Sequence, residues 1–233
     1  RGYWQAFQAV RASLGRVLQG ENPGQVADEA HTAWYREMFA PSVTAGLLRP
    51  ADLAGYRNDQ VYIRRSMHVP PKREAVRDLM PALFELLREE TEPAARVVLG
   101  HFVFVYIHPY MDGNGRIGRL LTLLLLYQCG YEAGRYISLE RIIEESKETY
   151  YEALSASSQN WHGAEHDLRP WWEYFLGTLT AAYNEFESRV GTLTSARGAK
   201  REMVRNAIAR LPARFRMGDV QRASPGVSYP TLK

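Results

Sequence analysis

An all-α fold with one short hairpin is what the sequence predicts, on three observations. Apolar residues recur at helical spacing in both halves of the chain. A nearly unbroken apolar run fills 94–107, too long for a typical strand and poor in breakers. No strand–helix–strand alternation and no internal repeat is visible. With 233 residues, 45% of them hydrophobic, the chain can bury a single core and still carry a small appendage.

The elements follow in order. Trp4, Phe7, Val10, Leu14, Val17 and Leu18 mark an amphipathic first helix. Two β-prone pieces come next, Val61, Tyr62 and Ile63, then Met67, His68 and Val69. They flank the polar Arg64, Arg65 and Ser66, which predicts a hairpin that Pro70 and Pro71 end. Val76, Leu79, Met80, Leu83, Phe84 and Leu87 mark another amphipathic helix.

The run 94–107 reads as a buried helix. Pro109 cannot continue it and disfavours helical geometry at His108, which therefore sits at or just past its end. Gly113 and Gly115 permit a tight turn. A second central helix is expected from Arg116 to Cys129, stopping before Gly130. Its Leu120, Leu121, Leu123, Leu124, Leu125 and Leu126 are apolar all round. Ser138 is a natural N-cap for a helix carrying Lys147 to Leu154. Trp171, Trp172, Phe175, Leu176, Leu179 and Phe186 continue the pattern over 169–190.

Residues 108–119, His-Pro-Tyr-Met-Asp-Gly-Asn-Gly-Arg-Ile-Gly-Arg, concentrate the chemistry. Residues 112–115 precede a helix, where unpaired N–H groups and the dipole favour an anion such as phosphate. Arg116 and Arg119, three apart, are expected on one face near that terminus, and guanidinium suits phosphate. Asp112 would repel a phosphate, a conflict that a divalent metal such as Mg²⁺ resolves. His108 is the candidate general base, although a helix C-terminus favours its protonated form. A metal-hydrolase reading through His101, His108 and Asp112 is weak, because Pro109 breaks the helix that would align them. His101 is most simply a core histidine satisfied by a polar neighbour.

This stretch resembles the signature of the Fic family, whose members move a nucleotide monophosphate from a triphosphate to a protein hydroxyl. The resemblance implies a Fic helical core, ATP and Mg²⁺ as cofactors, and a Ser, Thr or Tyr of a target protein as acceptor. It implies His108 as base and Asp112 as metal ligand. Asn114 and the backbone of Gly113 and Gly115 would hold the α-phosphate, Arg116 the β-phosphate and Arg119 the γ-phosphate. Tyr110 stands where phenylalanine is commoner, as an anchor into the core, and Asp112 where some members carry glutamate. The hairpin resembles the family's target-docking flap, which puts Val61, Tyr62, Ile63, Met67, His68 and Val69 among the target contacts. Tyr150 and Tyr151 resemble aromatics that approach the nucleotide base, against a plain packing role. The related Doc toxins, which phosphorylate, lack this Gly-Asn-Gly turn.

Cys129 is the lone cysteine, so no intramolecular disulfide forms and a reducing, cytoplasmic setting is expected, with a buried inert thiol as the default. The leucine run at 120–127 is far short of the roughly 20 residues a membrane span needs. The net charge of +3 hides an asymmetry, since 195–233 hold nine Lys or Arg against two acidic residues. A linker is read at 194–198, dividing a Fic domain with N-terminal helical extension, 1–193, from a basic segment, 199–233.

Within that segment helices are expected over 199–211 and 217–223, with Ser228 and Pro230 opening another. This resembles the start of the winged-helix extension of many bacterial Fic proteins; a basic tail packing on the core or on a second subunit fits equally. No Ser/Thr-x-x-x-Glu, the family's inhibitory motif, occurs in the chain, which leaves Arg119 unoccupied in this reading. Two function classes result. One is an Mg²⁺-dependent adenylyltransferase, with self-modification or removal of AMP as variants and a homodimer as an open possibility. The other is a nucleotide-sensing regulator whose C-terminal helices bind DNA with steep salt dependence.

Overall fold

The computed structural model describes residues 2–63, 68–131, 137–209 and 216–223, and among these the longer regular elements are α-helices. They are α1 Gly2–Leu18, α2 Pro23–Thr44, α3 Val76–Glu89, α4 Pro93–Ile107, α5 Asn114–Gln128, α6 Leu139–Glu145, α7 Lys147–Ser157, α8 Arg169–Ala209 and α9 Met217–Ala223. The chain divides into two compact units, Arg1–Ala182 and Tyr183–Lys233, and all the chemistry described below lies in the first.

α5 is the centre of that unit. It packs against α4, α1 and α2, and its Ile117, Leu120, Leu121, Leu124, Leu125 and Leu126 are buried. Burial of each such side chain stabilises the fold by on the order of 2 kcal/mol. The helix begins at Asn114, two residues before the sequence expectation, and stops as expected: Gly130 adopts φ 75°, and the Tyr131 N–H closes back on the Leu126 carbonyl at 3.0 Å. The Cys129 thiol there is half-buried rather than buried.

α2 has no counterpart among the sequence expectations. Asn22 caps it, Oδ1 accepting the Gly24 and Gln25 N–H groups at 2.9 and 3.4 Å, while Nδ2 donates to the Arg88 carbonyl. Pro23 fills the first position. Gly24 lies flush against the end of α3, where an added Cβ would stand 2.6 Å from the Arg88 nitrogen and 2.8 Å from the Phe84 oxygen. Gly24→Ala is therefore expected to destabilise the protein by about 1–3 kcal/mol, despite alanine's better helix propensity. Urea unfolding should show a lower midpoint at unchanged slope; an unchanged midpoint would mean that α2 and α3 separate without penalty.

Three further expectations are corrected. Residues 61–63 and 68–69 form no strand, and 64–67, including Met67, lie outside the described residues. Side-chain-to-backbone bonds from Arg57, Gln60 and His68 tie this segment down in place of a ladder. The helix predicted after Ser138 is two helices, interrupted at Ser146, whose hydroxyl bonds the Ile142 carbonyl and Tyr174. At 194–198, α8 runs straight through the expected linker, since polar composition alone does not end a helix that lacks proline. Ser228 and Pro230 lie outside the described residues.

Candidate active site

The α4–α5 connection builds the site. His108 is the C-cap of α4 in the left-handed region, φ 54° and ψ 59°, its N–H still bonded to the Phe104 carbonyl at 3.1 Å. Tyr110 drops into the core and stacks on Tyr35 at 3.9 Å. The Asn114 side chain is buried and grips the Tyr110 backbone twice, accepting its N–H and donating to its carbonyl, each at 2.8 Å. That amide shapes the turn from a buried position, which leaves the Asn114 backbone N–H at the start of α5 as its donor to a ligand. Gly113 takes φ 81° with the Phe39 ring 3.0 Å from where a Cβ would be, which no other residue type fits without strain. Asp112 Oδ1 accepts the Gly113 N–H at 2.6 Å, and no side chain caps α5, so the N–H groups of its first residues lack intrahelical acceptors and are available to an anion.

The electrostatics of His108 follow from its surroundings. Its Nδ1 is 3.2 Å from the Val105 carbonyl, which can only accept, so Nδ1 carries the proton and Nε2 the lone pair. Burial pushes its pKa down to about 4, with the Val105 bond opposing and the charges of His68 and Arg57 adding. The helix C-terminus was expected to favour imidazolium; desolvation outweighs it, and the ring is neutral near pH 7.

A cleft opens beside this ring. Its walls bring together His108, Gly115 and Arg119 with Tyr150, Tyr151, Ile63 and His68. Asp112, Gly113, Asn114, Arg116, Val61, Tyr62 and Val69 are not among its lining residues. The sequence reading missed Phe102, Val105 and Tyr106 of α4 and Leu154, Ser155 and Ser158 of α7. Their signal was present: Tyr151, Leu154, Ser155 and Ser158 share one helical face.

Tyr150 and Tyr151 differ. Tyr151 is half-exposed at the rim, whereas Tyr150 is buried with its hydroxyl committed inward. Thr122 donates to the Gly118 carbonyl at 2.8 Å, so it accepts from His101 Nδ1–H at 2.7 Å. His101 Nε2 then accepts the Tyr150 O–H at 3.0 Å. Burial, helped by the Arg119 charge, drives the His101 pKa down to about 3, which keeps it the neutral core histidine expected. Tyr150 thus presents ring surface to the cleft.

The two arginines diverge instead of sharing a face. Arg116 lies over the Phe39 ring at 5.3 Å and pairs with Asp112 at 3.1 Å, whereas Arg119 reaches α6, its Nε donating to Glu140 at 2.7 Å. Arg119 is therefore not unoccupied, and Glu140 is a partner the motif gave no hint of. Its Nη1 borders the anion turn, 3.5 Å from the point where a Gly115 Cβ would lie. The exposed Asp112–Arg116 pair is worth under about 1 kcal/mol and exchanges readily for ligand contacts. Among the described residues no three His, Cys, Asp or Glu side chains gather to hold a metal. One accessible carboxylate still fits Mg²⁺, which completes its shell with phosphate oxygens and water.

Arg57 was not singled out from the sequence. It is buried, and its guanidinium bonds the carbonyls of His108, Asp59 and Pro71.

A helical domain with its central helices joined by a stapled left-handed turn, opening an uncapped helix start onto an aromatic cleft, has the architecture of Fic proteins. Residues 28–126 match the Fic/DOC family. It is 35% identical over 129 residues to the protein adenylyltransferase Fic of Nematostella vectensis, a match covering 54% of this chain and 27% of that protein. The protein of the same description from Drosophila willistoni is 32% identical over 129 residues, covering 54% and 23%. The chain thus spans about a quarter of the length of these curated relatives. Among solved structures, a Fic family protein from Desulfovibrio desulfuricans G20 superposes with a TM-score of 0.58 at 25% identity, over 99% of this chain and 76% of that one. Fic-1 of C. elegans shares the fold, with a TM-score of 0.59 at 21% identity over 82% and 51%.

Proposed function

We propose that this chain transfers AMP from ATP to a Ser, Thr or Tyr hydroxyl of a target protein, its own included. The observation that carries the reading is a neutral His108, with its lone pair on Nε2, lining the same cleft as Gly115 and Arg119. In this reading His108 Nε2 takes the hydroxyl proton as that oxygen attacks the α-phosphorus. The bond from the α-phosphorus to the bridging oxygen breaks and pyrophosphate leaves. The N–H groups at the start of α5 hold the α-phosphate, and the aromatic walls with Tyr151 receive the base. Asp112 would hold Mg²⁺, which when bound neutralises phosphate charge. The exposed Tyr62 and Val69 belong to the target-docking segment. The compact unit Arg1–Ala182 carries this chemistry.

Arg119 binds the terminal phosphates through the nitrogens that Glu140 leaves available. Arg119→Ala is expected to weaken ATP binding about 10–100-fold, the loss of one or two charge-assisted bonds, while AMP binding stays unchanged. Titration calorimetry with both nucleotides reads this directly. Equal losses for ATP and AMP would mean that Arg119 acts on the cleft as a whole.

The deciding experiment is intact mass measurement after incubation with ATP and Mg²⁺, first of the chain alone and then with lysate proteins. A gain of one AMP, absent in His108→Ala, is the expected result. ATP binding without any transfer to either acceptor would overturn the proposal.

A further inference from the structure

We propose that Arg57 is a positioning residue that fixes the backbone of His108 and both ends of the 58–71 segment as one unit. Seating a target on that segment and placing the base thereby become one event. The inference rests on the transfer reading above for its functional consequence, and on geometry for the coupling itself.

Arg57 is 4% exposed. Among the described residues its guanidinium partners are all carbonyl oxygens: His108 to Nε at 2.9 Å, Asp59 to Nη1 at 3.1 Å, and Pro71 to Nη2. Its own backbone N–H donates to the Pro109 carbonyl at 2.8 Å. A buried cation that bonds no carboxylate directly, with only the more distant charge of Glu74 to favour it, is costly, and an apolar side chain would fill the space with less penalty. What no apolar residue supplies is a planar fork of donors that gathers three carbonyls from distant parts of the chain. Two of them, at Asp59 and Pro71, bracket the docking segment.

The third belongs to the base. His108 holds a left-handed backbone conformation immediately before a proline, which side chains with a Cβ adopt only when the surroundings impose it. The Arg57 bonds to His108 and Pro109 are such an imposition, and they land on the residue whose orientation the chemistry needs. Separate ties keep the segment in place. Gln60 Nε2 donates to the Pro70 carbonyl at 3.0 Å, joining its two ends. His68 Nε2 donates to the Tyr106 carbonyl at 2.9 Å and lies on the Tyr106 ring, in the last turn before His108. A target chain that shifts the backbone at Asp59 or Pro71 therefore acts through Arg57 on the His108 carbonyl.

The test uses the whole chain as wild type, Arg57→Lys, which keeps the charge without the fork, and Arg57→Gln. Hydrogen exchange by mass spectrometry, ATP titration and the rate of AMP transfer are read on each. Exchange is expected to quicken about tenfold in peptides covering 58–69 and in those covering His108 and Tyr110 together, with other helices unchanged. ATP affinity should stay within about twofold, because the α5 turn is built by Asn114 and Gly113, while transfer falls about tenfold or more. Faster exchange confined to 58–69, or transfer kept at the wild-type rate, overturns the proposal. So does a uniform rise across all helices in both variants, which is the signature of a merely structural residue. If the wild type transfers no AMP, the functional reading fails by itself, and the paired exchange still decides whether Arg57 couples the two backbones.

Discussion

His108→Ala is expected to lower AMP transfer by about 10²- to 10⁴-fold while ATP binds as before. The ring lines the cleft, whereas in the proposed reading the phosphates rest on the start of α5 and Arg119, so removing the imidazole would take away the base alone. The pH profile sharpens this. With its pKa pushed down to about 4, His108 is already deprotonated at pH 6, so transfer should show no inflection near the ordinary histidine value of 6.5. The sign for stability follows. The unfolded chain binds this proton more tightly than the fold does, so stability from the neutral ring is fully present above 6.5 and is lost as pH falls toward about 4. Single-turnover rates between pH 5 and 8 check it; a limb centred at 6.5 that disappears in His108→Ala would show that the imidazole is not held neutral.

Trp171→Ala is expected to cost about 3–5 kcal/mol of stability, a loss on the scale of a whole small domain's margin. The ring is completely buried, its Nε1 donates to the Val98 carbonyl at 3.0 Å, and its backbone N–H bonds the Ser157 hydroxyl. It also backs the site, stacking on His101 at 5.1 Å and meeting Tyr150 edge-on at 5.7 Å. Its loss should therefore weaken nucleotide binding as well, through a Tyr150 no longer braced against the cleft. Trp171→Phe keeps the ring and gives up the hydrogen bond, and should recover most of the stability. Chemical denaturation with parallel ATP titration measures both effects; a loss below about 1 kcal/mol for the alanine variant would mean that the cavity collapses freely.

Much of this site was readable because its logic is local. Pro109 ends α4 at His108, Gly113 and Gly115 shape the turn, and the leucines of α5 declare a central helix. Each rests on backbone sterics or on neighbours within a turn or two. α2 was readable but unread: Asn22 and Pro23 open it, and Ala27, His31, Trp34, Tyr35 and Met38 repeat at helical spacing. Other features carried no local signal. Arg57 meets a carbonyl 51 residues away, and Arg119 a carboxylate 21 residues away. Spacing put Arg116 and Arg119 side by side, but Phe39 and Glu140 draw them apart, because a long flexible side chain goes where a partner is.

The order of residues alone thus predicted a helical fold, a Fic-like turn and a set of candidate base and anion-binding groups, along with a hairpin that the described residues do not form. Packing decided the state and aim of those groups. Burial made His108 neutral against the pull of its helix end, the Asn114 side chain was drawn into stapling the turn, and a buried guanidinium was tied to the His108 backbone. Periodicity and turn chemistry act over a few residues and can be read along the chain. Desolvation and hydrogen-bond partnership depend on which distant segments fold together, and those exist only in three dimensions.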